Sequence, residues 1–241
     1  MGDLQLPVPS GPAAPEADER RIPLSRHRRA VAASMTSSAR IPQFVLYRDI
    51  DMSRLVALRT RMNADGGFSY SDAIVAAAAR ALRVHPPLNA SLDEDQECVI
   101  EYRRVNIGLA VPGADGLIVV VIHDADRRAL PDLAAERHRL TRAAQHGGLV
   151  SRDLIGATFV ISNLGPAGVT MFQALLVPPL AAILAVGSLR KGAPMGGPDA
   201  SVMTISLTAD HRVLDGLAGA QFLSTLAGFL AEPDQLLSPA P

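Results

Sequence analysis

Apolar residues in this 241-residue chain recur with two periods, and each change of period predicts a change of element. Spacings of three and four residues predict a helix capped by Ser53, a buried helix capped by Ser71 or Asp72, and an amphipathic helix that ends before Gly147. The helical stretches include residues 73–84, 130–145 and 217–231. Alternating or continuous apolar runs predict strands over residues 43–51, 105–111, 117–122, 158–162, 181–186 and 201–207. This interleaving predicts an α/β (α+β) fold with one mixed sheet.

The two ends of the chain differ from this pattern. Residues 1–21 are rich in proline and alanine and then acidic, which predicts a poorly ordered linker followed by one domain over residues 22–241. A basic segment, residues 25–38, is compatible with a first helix or arm. The tail after Leu236 and Leu237 reads Ser-Pro-Ala-Pro.

Charge and cysteine content narrow the function classes. A net charge of −1 provides no basic field for nucleic acid and no polybasic membrane anchor. No apolar run has the roughly 20 residues that span a bilayer, and no secretory h-region opens the chain, so we expect a cytoplasmic protein without nucleic-acid or membrane partners. The lone Cys98 excludes an internal disulfide framework; it lies in a predicted strand as a buried or idle thiol.

The first candidate for chemistry is the run from Asp210 to Gly216, which places His211 four residues before Asp215. It joins a predicted strand to a predicted helix, a kind of corner where catalytic groups are often found. A histidine can take and return a proton near neutral pH. By its spacing alone, however, the pair is more often a surface histidine beside solvated charges.

The second candidate is Ser162 with Asn163, at the end of a predicted apolar strand and just before Gly165. Their side chains could face a cleft. Taken alone, the same residues are more often ordinary turn chemistry.

Several runs in order resemble the catalytic domain of the dihydrolipoamide acyltransferases, the E2 component of 2-oxo acid dehydrogenase complexes. They extend from about residue 22 to residue 237 and read RIPLSR (21–26), LNAS (88–91), NIGLAV (106–111), DGLIV (115–119), GATFVISNLG (156–165), VPP (177–179), AILAVG (182–187) and DHRVLDG (210–216). The resemblance implies a chloramphenicol acetyltransferase-like two-layer sandwich with a mixed sheet, assembled as a homotrimer or a larger assembly of trimers.

The resemblance also implies the site. His211 matches the family's general base, Ser162 matches its oxyanion donor, and we assign Asp215 to orienting the corner through an ion pair or hydrogen bonds. The reaction would move an acyl group between the thiols of coenzyme A and dihydrolipoamide, without a metal. The histidine and serine runs would come from neighbouring subunits of the trimer, and the C-terminal tail could alter contacts between trimers in a 24- or 60-subunit shell.

Departures from the family concern the acyl carrier. Relatives carry lipoyl domains before this core, whereas the only lysine here is Lys191, in a short Gly/Pro loop without the acidic flank of a lipoyl hairpin. We therefore expect the lipoyl group in trans, on a separate lipoyl or acyl carrier protein, with the E1 and E3 components as possible partners. Residues 119–121 read Val-Val-Val where the family usually has Val-Pro-Val, and Ala209 replaces a larger residue.

Two alternatives remain open. One is an acyltransferase whose acceptor is an acyl carrier protein or a small-molecule hydroxyl; the other is a non-catalytic core or scaffold subunit. The presence of both His211 and Ser162 argues against the scaffold. The acyl chain stays undetermined, with Phe172, Leu175 and Leu176 as plausible pocket residues that are more often core.

Overall fold

A six-stranded mixed sheet organises the molecule in a computed structural model that describes residues 20–62, 67–113, 116–193 and 197–239. Its strands, in spatial order, are β1 (Gln43–Asp51), β8 (Gly197–Asp210), β7 (Ala182–Ala193), β6 (Phe159–Asn163), β4 (Ile107–Gly113) and β5 (Gly116–Ile122). The β4–β6 and β6–β7 pairs are parallel, and the other neighbours are antiparallel. The predicted mixed sheet is confirmed. The predicted linker lies outside the described residues except for Arg20 and Arg21, which are exposed.

Five helices accompany the sheet over the described ranges, and each lies where the sequence predicts a helix. They are α1 (Arg26–Ser38), α2 (Ser53–Met62), α3 (Tyr70–Val84), α4 (Leu130–His146) and α5 (Gly216–Ala231). None of them is long and apolar enough to cross a membrane in the part of the chain that the structure describes. Eleven residues of α3 are buried, as its nearly all-apolar pattern predicts.

Two predicted helix starts are wrong by a few residues. Ser53 is the first helical residue of α2, and its N–H donates to the Asp51 carboxylate at 2.8 Å. The cap of α3 is Ser69, whose hydroxyl accepts the N–H of Asp72, while the Asp72 carboxylate accepts the N–H of Ser69. Several polar residues in a row can cap a helix, so the sequence does not distinguish which one does.

Strand alternation places the main core on one face of the sheet. Met203, Ile205, Leu207 and Ala209 of β8 belong to this core, which also holds the buried faces of α2 to α5. On the opposite face, the hydroxyls of Ser206 and Thr208 donate to the carbonyl oxygens of Phe172 and Ala174 at 2.6 and 2.7 Å. These bonds hold an irregular segment, residues 169–177, against β8. The segment helps to build the functional site.

A separate antiparallel hairpin consists of β2 (Ala90–Asp93) and β3 (Cys98–Glu101). The sequence indicated a strand around Cys98 but neither its partner nor the separate sheet. Cys98 is exposed, so of the two expectations for this thiol, buried or idle, the buried one is wrong, and the idle one stays a prediction. Lys191 lies within β7 rather than in a loop, and its Nζ donates to Ser201 Oγ at 3.4 Å. Strands β7 and β8 continue past their predicted ends because they pair with each other there.

Candidate active site

His211 follows the last residue of β8 and opens the turn into α5. Its backbone N–H donates to the carbonyl oxygen of Pro42 at 2.8 Å, which ties the turn to the chain entering β1. The imidazole is exposed to solvent and packs against Phe44, with ring centroids 4.8 Å apart at an interplanar angle of 56°. The ring is therefore accessible to a substrate and supported on one side.

An ion-pair chain fixes the same turn. The buried carboxylate of Asp210 accepts hydrogen bonds from the backbone N–H and the guanidinium of Arg212, the shortest being 2.7 Å. Nη1 of Arg212 donates to Glu94 in the hairpin at 2.6 Å. The hydrogen bonds that Arg212 donates to Asp210 and then to Glu94 raise the pKa of Arg212 above its ordinary value, so Arg212 remains a cation. The charges beside His211 thus compensate only in part, since two carboxylates face one guanidinium.

Asp215 is the N-cap of α5. Its Oδ1 accepts the N–H of Ala218 at 2.8 Å, and its backbone is extended as caps require. Over the described residues it forms no ion pair. Asp215 thus fixes the start of the helix that leaves the corner, while its effect on His211 stays a prediction.

Ser162 lies on β6 and lines a cavity of about 590 Å³. The side chain of the next residue, Asn163, points elsewhere and stiffens the strand end: it accepts the N–H of Gly165 at 2.8 Å and donates to Ser71 at 2.9 Å. The first turn of α1 contributes His27 and Arg28 to the cavity wall. Ser162 is therefore a hydroxyl held on a rigid strand beside an open volume.

Phe172 and Leu175 line the same cavity, but Leu176 is fully buried in a second apolar cluster and does not. The side chains that the sequence did not indicate are His27, Arg28 and Met35 of α1. The only signal in the sequence was the basic character of that segment, which is also typical of a solvated helix.

Two glycines allow the chain after Ser162 to cross β7. A Cβ on Gly187 would lie 1.9 Å from the carbonyl oxygen of Thr170, and one on Gly165 would lie 2.6 Å from the carbonyl oxygen of Gly187. Both clashes are with backbone, which cannot move without displacing a strand. The crossing therefore requires glycine at both positions.

Within one copy of the chain, Ser162 and His211 lie far apart. Ser162 pairs with Ala185, which pairs with Ser206, so Ser162 and Ser206 are in register two strands apart. Two strand spacings are about 10 Å, and the five residues from Ser206 to His211 extend about 17 Å along the sheet. His211 is also absent from the wall of the Ser162 cavity. One copy does not bring the two predicted catalytic groups together.

No group of three histidine, cysteine or acidic side chains with the geometry of a metal site occurs in the described ranges. The chemistry available from the described residues is proton transfer at His211 and hydrogen bonding at Ser162.

The family model for the catalytic domain of 2-oxoacid dehydrogenases acyltransferases matches residues 16–238. The chain belongs to this family. Component 3 of the mitochondrial dihydrolipoyllysine-residue acetyltransferase of the Arabidopsis thaliana pyruvate dehydrogenase complex is 40% identical over 237 residues. The match covers 93% of this chain and 44% of that protein, so the chain spans less than half the length of this relative.

Solved structures agree with the family. Azotobacter vinelandii dihydrolipoamide acetyltransferase superposes with a TM-score of 0.86 at 29% identity, covering 94% of this chain and 99% of that one. That structure was used to investigate a serine, a histidine and an asparagine four residues beyond it in the catalytic mechanism. Chloramphenicol acetyltransferase, at 16% identity and a TM-score of 0.56, shares the fold, which confirms the predicted fold class.

Proposed function

We propose that this protein is an acyltransferase that moves an acyl group between the thiols of coenzyme A and dihydrolipoamide. The observation that carries the proposal is the pairing of family membership with two suitable groups, an exposed imidazole at His211 and a cavity-lining hydroxyl at Ser162. In the Azotobacter relative, the histidine and asparagine of the mechanism are spaced as His211 and Asp215 are here.

The proposed chemistry is a thioester exchange. His211 takes the proton of the attacking thiol, and the resulting thiolate attacks the thioester carbonyl. Ser162 donates a hydrogen bond to the oxyanion of the tetrahedral intermediate. The intermediate collapses and expels the second thiol group as a thiolate. This thiolate takes the proton from the imidazolium, so one thioester and one thiol remain. Because the exchange is nearly balanced in free energy, orientation and charge stabilisation are what the protein supplies.

We further propose that the active site is shared between copies of the chain in a homotrimer. The separation of Ser162 and His211 within one copy supports this arrangement, because a second copy can present its His211 to the cavity of the first. Cyclic assembly gives each cavity one such partner. Trimers of this kind could build a larger shell, with E1 and E3 components as partners.

The acyl carrier in this proposal lies outside these 241 residues. Lys191 is the only lysine in the sequence, and it is part of a regular strand. We therefore propose that the lipoyl group reaches the site from a carrier outside these residues, and that neither transfer step requires a metal.

Acyl transfer from acetyl-, propionyl- and isobutyryl-coenzyme A to dihydrolipoamide and to carrier-protein thiols tests the activity. We expect His211→Ala to lower kcat by about 10²–10⁴-fold and Ser162→Ala to lower it by about 10²–10³-fold. If no thiol acceptor is acylated above the His211→Ala background, the acyltransferase proposal is wrong.

Co-expression of the His211→Ala and Ser162→Ala chains tests the shared site. A mixed trimer contains interfaces that join an intact His211 to an intact Ser162, so we expect about a quarter of the wild-type activity to return. A chain that carries both substitutions supplies the background. Activity in the wild type without recovery in the mixture would place the whole site within one copy.

A further inference from the structure

We propose that the acidic tip of the β2–β3 hairpin in one copy docks onto the basic first turn of α1 in the next copy. This contact would position His211 of the first copy relative to Ser162 of the next. The tip comprises Glu94, Asp95 and Glu97, and the basic turn comprises Arg26, Arg28 and Arg29. This inference rests on the proposed trimer with its shared active site.

Among the described residues, no acidic side chain compensates the charge of the basic turn. The N-terminus of a helix carries partial positive charge, so acidic residues stabilise its first turn and basic residues oppose it. The first turn of α1 nevertheless contains no acidic residue and three arginines. None of these arginines forms an ion pair with the described residues; Arg29 donates only to the carbonyl oxygen of Leu24 at 2.7 Å. An external acidic group would neutralise the excess positive charge.

The β2–β3 hairpin carries an excess of negative charge. Asp95, Glu97 and Glu101 are exposed and have no ion-pair partner among the described residues, and Glu94 shares Arg212 with Asp210. Beside them, Val99 and Ile100 of β3 are 44% and 41% exposed. A surface that mixes free carboxylates with exposed aliphatic side chains is suited to protein contact.

Within one copy, the acidic hairpin tip lies near His211, and the basic turn lies near Ser162. These are the two groups that the proposed trimer brings together. The hairpin is attached to the His211 end, because Glu94 contacts Arg212, the residue next to His211. The basic turn is attached to the Ser162 end, because Arg28 lines the cavity of Ser162. When His211 of one copy approaches Ser162 of the next, the proposed contact places the hairpin against the basic turn of that next copy. This contact joins opposite charges.

Charge reversal at each surface tests this contact. The variants are Asp95→Lys with Glu97→Lys on the hairpin, Arg26→Glu with Arg28→Glu on α1, and a chain that carries all four changes. Sedimentation velocity over a dilution series, at low and high salt, measures trimer dissociation. At low salt we expect each reversed surface to raise the half-dissociation concentration by about tenfold or more, and the four-change chain to return most of the way to wild type.

A control pair lies on α4, where Asp132→Lys with Arg142→Glu changes exposed charges of both signs without touching either surface. It should leave dissociation unchanged, and thermal melting should show that every variant is folded. The α1 changes place acids at a helix N-terminus, which favours the helix, so unfolding is not the expected effect.

Outcomes that overturn the contact differ from those that overturn the shared site. Suppose that the wild type is a trimer and that activity returns in the His211→Ala and Ser162→Ala mixture. If charge reversal then leaves trimer dissociation unchanged, only the docking contact is disproved. If the α1 variant remains trimeric and shows only a raised KM for coenzyme A, the arginines bind phosphate instead. A monomeric wild type without recovery in the mixture removes both proposals.

Discussion

Asp215 has a local role that the structure shows and a catalytic role that is proposed, and substitution can separate them. Its carboxylate caps α5 by accepting the N–H of Ala218, and the residue is exposed to solvent. Asparagine caps helices about as well as aspartate. The Azotobacter relative has asparagine at the corresponding spacing from its histidine.

We therefore expect Asp215→Asn to keep both the melting temperature and kcat within about twofold of wild type, whereas Asp215→Ala loses about 1 kcal/mol of stability with the cap. Calorimetry and steady-state acyl transfer measure the two effects. A large loss of kcat in Asp215→Asn at unchanged melting temperature would show that the negative charge itself acts on His211, and would contradict a role confined to orientation.

At the scale of elements, the segment after β6, which follows Ser162, crosses closely over β7. The close approach of Gly187 to the carbonyl oxygen of Thr170 leaves no room for a side chain. The same crossing continues into residues 169–177, which β8 holds through Ser206 and Thr208. A substitution that displaces the crossing should therefore lower the stability of the fold and alter the cavity.

We expect Gly187→Ala to lower the free energy of unfolding by at least about 2 kcal/mol, because a backbone clash of this size displaces a strand, and to reduce acyl transfer further. Gly228→Ala is the matched control: a Cβ there meets nothing within 4 Å, and Gly228 lies inside α5. Alanine should stabilise that helix by up to about 1 kcal/mol. Equal stability of the two variants in denaturant unfolding would show that the crossing is adaptable.

At the scale of the whole molecule, we expect one buried acid to contribute to the pH dependence of the stability of the fold. Asp126 is 5% exposed, its Oδ1 has no hydrogen-bond partner among the described residues, and Nε of Arg83 lies 3.6 Å from its Oδ2. Burial raises the pKa of Asp126 above its ordinary value. The folded state then holds a proton that the unfolded state releases above about pH 4, so this group stabilises the fold at acid pH and loses that contribution as pH rises through its folded pKa.

Asp126→Asn removes this titration while keeping the size of the side chain. We expect the free energy of unfolding of the variant, minus that of wild type, to be larger at pH 7 than at pH 4, so that the variant gains relative stability as the pH rises. Chemical denaturation at the two pH values measures the difference. A constant difference would mean that Arg83 compensates for the burial and that Asp126 titrates alike in both states.

The local elements could be predicted from the sequence because their periodicity records which face each residue presents to the core. Residues 73–84 and 217–231 show a helical period, and β8 alternates so strictly that Met203 to Ala209 reach the core at every second position. The runs containing Ser162 and His211 identified the candidate site by resemblance. The cap of α3 was predicted at Ser71 or Asp72 and lies at Ser69, because all three residues are capable of capping.

Only the tertiary structure decided which residues meet. The pairing of β2 with β3, the contact of Glu94 with Arg212 and the cavity shared by Arg28 and Ser162 join positions distant in sequence, and no local period encodes such contacts. The same holds for the separation of Ser162 from His211, which depends on strand order and register. Sequence by itself determined the elements and the chemically capable groups, because these depend on neighbours along the chain. The tertiary structure decided that one copy leaves those groups apart, because strand pairing alone sets the distances between them.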